Sequence, residues 1–184
     1  MQLEQTLPQF DFRIRHELRI HASLEDTYRA FLSARFGDSL LIRTLLWLRG
    51  LGPLRLHEGG HGDGDMLCRL EKRGFVVLSH LPCEEIVLGI AGKFWRPDGG
   101  RISVPAAEFS RFAQPGYAKA AFNFLFREES TTSTRLSTET RIAVIGGAAW
   151  WLFRMYWLAV RPFAGLIRGE MLRMVKQRAE TAKP

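Results

Sequence analysis

His80 and Tyr156 are the two side chains best suited to proton transfer, and each sits in an apolar stretch, residues 75–81 and the first half of the last segment. Acid–base chemistry needs such groups positioned as a pair, so the two would act beside a carbonyl only if the fold brought them into one cavity. A hydrogen-bonded core histidine and a core tyrosine are the plainer reading, and no firm catalytic residue follows. Phe122, Phe124 and Phe126 alternate along one stretch, and Thr138 and Thr140 along the next. Large rings with a few polar handles line small-molecule sites, although the same rings can fill a solid core.

The stretch HEGGHGDGD offers His57, Glu58, His61, Asp63 and Asp65. Gly59 and Gly60 oppose the helix that would make a four-residue histidine spacing chelate, and neither calcium-loop spacing nor its terminal Glu is present. A polar loop without metal is expected. Arg154, Arg161 and Arg168 recur every seven residues, which on a helix makes one cationic stripe. That stripe is either a solvated face or, with nearby tryptophans, a contact for an anionic membrane surface. Nucleophile elbow, phosphate loop, HExxH and dinucleotide fingerprint are all missing, so no cofactor is expected.

The 184 residues are 46% hydrophobic, enough for one well-filled core, and a single domain spanning 1–184 is expected. Lys and Arg number 26 against 19 Asp and Glu, a formal +7. Such a balance favours anionic partners; nucleic-acid binding would rest on charge alone and is not expected. Cys68 and Cys83 form no disulfide framework and read as small buried hydrophobes. The opening MQLEQTLPQFDF lacks a basic start and apolar run, so a cytoplasmic setting is expected. Oligomeric state is left open.

These groups need elements to position them. Residues 10–21 alternate apolar and charged positions, with Phe10, Phe12, Ile14, His16, Leu18 and Ile20 on one side, and predict a half-buried strand. Ser23 with Asp26 three residues on predicts a helix start, and residues 39–48 a second helix. Residues 66–70, 75–81, 85–95, 108–112, 117–128 and 134–144 read as about six strands. Pairing Arg127 with Arg135 sets Phe126 opposite Leu136, Phe124 opposite Thr138 and Phe122 opposite Thr140. Asn123–Glu139 and Ala121–Arg141 then form a solvent face.

Residues 142–179 predict one long helix, kinked near Pro162. Arg154 and Arg161 interrupt its apolar run too early for a membrane span. Leu152, Tyr156, Ala159, Phe163, Ile167 and Met174 fall opposite the arginines and are expected to face the sheet. A sheet and a helix with one apolar face each satisfy one another's burial.

Strand, two helices, antiparallel strands and a long C-terminal helix, in that order, resembles the START-like superfamily, also called SRPBCC or birch-pollen-allergen-like and related to polyketide cyclases and dehydrases. Local likeness is carried by Gly89-Ile90-Ala91-Gly92-Lys93-Phe94-Trp95, by Pro115-Gly116-Tyr117-Ala118-Lys119 leading to Phe122-Asn123-Phe124, and by Leu136-Ser137-Thr138-Glu139-Thr140-Arg141. Tyr156-Trp157 and Phe163-Ala164-Gly165-Leu166-Ile167-Arg168 are similar to the closing helix of largely uncharacterised bacterial members.

The resemblance implies an α+β helix-grip fold, a curved antiparallel sheet around the C-terminal helix with an apolar cavity between them. It implies binding of a small hydrophobic ligand, lipid-, quinone- or polyketide-like, by a carrier or sensor. A cyclase or dehydratase using His80 and Tyr156 is the alternative, and a basic membrane-surface or partner-binding module another. Ligand contacts are then expected from Phe122, Phe124, Phe126, Thr138, Thr140, Leu152, Tyr156, Ala159 and Phe163, with Trp95 at the mouth. Fold alone does not decide among these functions.

Overall fold

The computed structural model describes residues 1–36, 39, 66–72, 74–96 and 98–181. Its strands are β1 (Phe12–Ile20), β2 (Val76–Leu81), β3 (Glu85–Gly92), β4 (Tyr117–Ser130) and β5 (Ser133–Ile145). They form one antiparallel sheet in the order β1-β5-β4-β3-β2. The helices are α1 (Gln2–Thr6), α2 (Leu24–Ser33), α3 (Met66–Glu71), α4 (Ala106–Phe109) and the long α5 (Gly147–Thr181). Helix α5 packs against β1, β5 and α2. This is an α+β, helix-grip-like arrangement.

Local signals explain most of the elements. The Ser23 hydroxyl accepts from the Asp26 amide at 3.2 Å and donates to its carboxylate at 2.6 Å, a cap that starts α2. β4 and β5 pair in the register set by their apolar faces, with Phe122 opposite Thr140, Phe124 opposite Thr138 and Arg127 opposite Arg135. The two like charges are tolerated because Arg135 donates to Glu129 at 2.6 Å and to Glu17 at 3.2 Å. At Gly89 an added Cβ would lie 2.6 Å from Leu78 and 2.7 Å from Phe109, so a side chain there would collide with two packed neighbours.

Several expectations are corrected. Residues 66–70 are helical, burying Met66, Leu67 and Leu70 on one face; so short an apolar run fits either period. Residues 106–109 likewise form a helical turn, so among the described residues the sheet has five strands, not the seven expected with the first. β5 continues to Ile145 and Gly146, at φ 99, makes the turn into α5; the helix therefore begins five residues later than expected. Cys68 and Cys83 are half-buried, not core, and Cys83 occupies the β2–β3 turn at φ 60. The second helix expected at 39–48 and the loop at 57–65 lie outside the described residues, apart from Ser39.

The largest correction concerns the expected solvent face of the sheet. Glu85, Lys119, Asn123, Glu139 and Arg141 are all buried. Helix α1 and the segment through α4 cover them, closing an apolar cluster of Leu3, Leu7, Val87, Ala91, Val104, Phe109 and Ala121. The charges are tolerable because they are satisfied. Glu85 accepts from Asn123 Nδ2 and from the Gln2 amide, both at 2.6 Å. Arg141 donates to Glu139 at 2.7 Å and to the Leu7 carbonyl at 3.3 Å.

Candidate functional site

Phe12, Ile14, His16, Leu18 and Ile20 of β1 stand opposite Ile142, Thr140, Thr138, Leu136 and Thr134 of β5. The first four pairs share the inner face with Ala120, Phe122, Phe124 and Phe126 of β4. Two apolar clusters occupy its ends. One joins Phe124, Phe126, Leu136 and Ile20 to Phe31, Phe36 and the far part of α5, Met171 to Ala179. The other joins Ala118, Ala120 and Ile142 to Phe153 and Trp157 of the near part.

Polar groups gather between the clusters. His16 and Thr140 are diagonal neighbours on adjacent strands, a spacing of roughly 7–8 Å. Nδ1 of His16 and Oγ1 of Thr140 are buried and have no hydrogen-bond partner among the described residues. The guanidinium of Arg168 lies 4.4 Å over the Phe122 ring, which holds a cation against an apolar wall. Gly165 of α5 faces β1 at this point: a Cβ placed there would meet His16 and Ile14 at 3.5 Å, an ordinary van der Waals contact. Burial, and then the nearby Arg168 charge, lowers the His16 pKa from its ordinary value, so the imidazole is neutral at pH 7. A neutral ring offers one donor and one acceptor. With the Thr140 hydroxyl and a guanidinium, the group can bind an oxygen-bearing head such as a carbonyl, hydroxyl or carboxylate.

The expected ligand wall is redistributed. Phe122 borders this polar centre, whereas Phe124 and Phe126 pack on Phe31, with ring centroids 4.6 and 5.5 Å away. Those two rings fill a core instead of facing the first half of α5. Thr138 spends its hydroxyl on the Asn123 carbonyl at 2.7 Å. Tyr156 and Phe163 are half-buried, with Tyr156 beside Phe153 at 5.6 Å. Trp95 packs edge-on against Phe153 at 6.2 Å. Leu152 and Ala159 point to solvent.

The stripe that α5 buries is Ala149, Phe153, Trp157 and Val160, then Met171, Leu172, Val175 and Ala179. It lies about one residue, or about 100°, around the helix from the face expected. Arg154 and Arg161 are exposed, but Arg168 is half-buried and turned to the sheet; the three arginines do not form one outer stripe.

His80 is exposed and its Nε2 lies 2.6 Å from the Tyr28 hydroxyl. Tyr156 belongs to the opposite cluster, so the His80–Tyr156 pair that the enzyme alternative requires does not form, and His80 is not the core histidine expected. The histidine on the inner face is His16, which the alternation of residues 10–21 places there without singling it out. Its signal was a lone titratable residue in an otherwise apolar alternation. His57, Glu58, His61, Asp63 and Asp65 lie outside the described residues. Among the described residues no cluster fit to hold a metal is found.

No protein-family model matches the chain, and no curated protein matches it. Solved structures with a similar course include TTHA0849 from Thermus thermophilus, 14% identical over 94% of this chain and 100% of that one, with TM-score 0.37. Hypothetical protein jhp0584 from Helicobacter pylori is 10% identical over 96% and 93%, TM-score 0.44. The Zhui aromatase/cyclase from a Streptomyces species is 8% identical over 92% and 93%, TM-score 0.30.

Proposed function

We propose that residues 1–184 act as one START-like unit that holds a small, largely apolar molecule between the sheet and α5, as a carrier or sensor. The ligand's oxygen is received by His16, Thr140 and Arg168, and its apolar body lies along Phe122, Tyr156 and Phe163. The observation that carries this reading is the pair of buried, partnerless polar atoms on the inner face. Buried polar atoms without partners are uncommon in folded proteins. The enzyme alternative is not kept, because its His80–Tyr156 pair is absent.

The test is mass spectrometry of an organic extract of the purified protein, followed by thermal melting with the compounds found and with a panel of quinones, fatty acids and aromatic polyketides. A bound ligand should raise the melting temperature. Thr140→Val should weaken its binding about five- to tenfold, the loss expected for one hydrogen bond. If nothing is extracted, no compound shifts the melt and Thr140→Val stabilises the apo protein, the polar centre is only core.

A further inference from the structure

The geometry points to the outer face of α5 as a docking surface for an anionic lipid bilayer, independent of any ligand held on the inner face. Among the described residues, seven large hydrophobic side chains are exposed, and five of them, Trp151, Leu152, Met155, Leu158 and Leu166, lie on this one helix. Scattered exposed hydrophobics are ordinary, but a contiguous stripe is not. Trp151, Met155, Leu158 and Leu166 follow one another at helical spacing and cover about 22 Å of the axis. Leu152 flanks the stripe on one side. Their exposures run from 52% at Leu166 to 67% at Met155, so this face is bare while the opposite face is packed on the sheet.

Charge selects the occupant. Arg154 and Arg161 border the stripe on its other side, and no acidic residue occurs from Gly147 to Gly169. The Arg154 guanidinium lies 5.3 Å over the rings of both Trp150 and Trp151, which places a cation beside an exposed amphipathic ring. A second copy of the chain would bring these cations against each other across an apolar contact, at a cost in repulsion. An anionic bilayer takes both features together: the apolar side chains enter the acyl boundary and the arginines meet headgroup phosphates. No described helix is long and apolar enough to cross a membrane, so α5 lies along the surface with its inner face still on the sheet.

The experiment is flotation of the full chain with phosphatidylcholine vesicles, with and without phosphatidylglycerol, at low and high salt. Binding is expected with phosphatidylglycerol and is weakened by salt, which screens the headgroup attraction. Arg154→Gln/Arg161→Gln should lower affinity roughly thirtyfold, given about fivefold per cation at an anionic surface. Met155→Glu/Leu158→Glu should lower it on the order of a hundredfold while leaving the melting temperature unchanged. The proposal is overturned if binding is absent, or if it ignores phosphatidylglycerol. It is equally overturned if the glutamate pair melts several degrees lower, because the face is then covered within the protein. Light scattering that finds a dimer which the glutamate pair dissociates would assign the stripe to a second copy instead.

Discussion

His16 shows how a single residue can report its surroundings through pH. Its protonated form is disfavoured in the fold, first by burial and second by the Arg168 charge. In the unfolded chain it takes up a proton near its ordinary value of about 6.5. Because the unfolded state then binds more protons, the contribution of His16 to stability is whole above about pH 6.5 and is lost as pH falls below it toward the folded value. Urea denaturation of the parent and of His16→Gln from about pH 7.5 to about pH 5 isolates this term. The parent should lose stability relative to the variant as the solution is acidified; a difference that stays constant with pH would mean that the ring is solvated in the fold. Of the two histidines in apolar strands, sequence alone favoured His80. It sits in the short strand β2, which carries a register shift near Ser79, and a shift of that kind undoes the alternation from which burial is inferred.

At the scale of elements, β4 and β5 were readable because their two faces differ so strongly in polarity that only one register keeps Glu139 and Arg141 away from the inner side. What alternation could not show is that the other side is covered as well. Glu139 and Arg141 look like solvent residues in the sequence, and they are buried because they pair with each other and with α1. The face of α5 was unreadable for a related reason. Its first half carries Phe153, Trp157 and Val160 on one side and Trp151, Met155 and Leu158 on the other, so periodicity alone does not choose between them.

The buried pair gives a sharp expectation. Glu139 and Arg141 have side chains only 5% and 8% exposed. Arg141→Ala leaves the Glu139 carboxylate with Arg13, 3.5 Å away, as its remaining cation. Breaking a buried pair costs about 3–5 kcal/mol, and the surviving Arg13 places this case at the low end, about 3 kcal/mol. The double change Glu139→Leu/Arg141→Met should recover most of that loss. Chemical denaturation of Arg141→Ala and of the double variant measures it; a double variant no better than Arg141→Ala would show that the arginine acts through its bond to Leu7 and not through Glu139.

For the molecule as a whole, the sheet is a middle layer. Helices α2 and α5 lie on one side, and α1 with the segment through α4 on the other, where they bury Glu85, Lys119, Asn123, Glu139 and Arg141 but leave Arg13, Arg15, Glu17 and Arg19 of β1 exposed. The exposed apolar surface is displaced onto the outside of α5, and this makes the two sides of the molecule separable by experiment. Leu3 is fully buried on the α1 side, in contact with the cluster of Leu7, Val87, Phe109 and Ala121. Leu3→Ala removes a packed side chain at a cost of about 2–5 kcal/mol. In a chain of this size each kcal/mol moves the melting temperature by about 2–4 °C, so calorimetry should find a drop of roughly 4–20 °C. Because Leu3 lies across the sheet from Met155 and Leu158, distant changes should act independently, and vesicle binding below the melting range should be unaltered. A Leu3→Ala protein that melts like the parent would mean that α1 is not seated on the sheet, and the burial of Glu85 and Arg141 would need another cover.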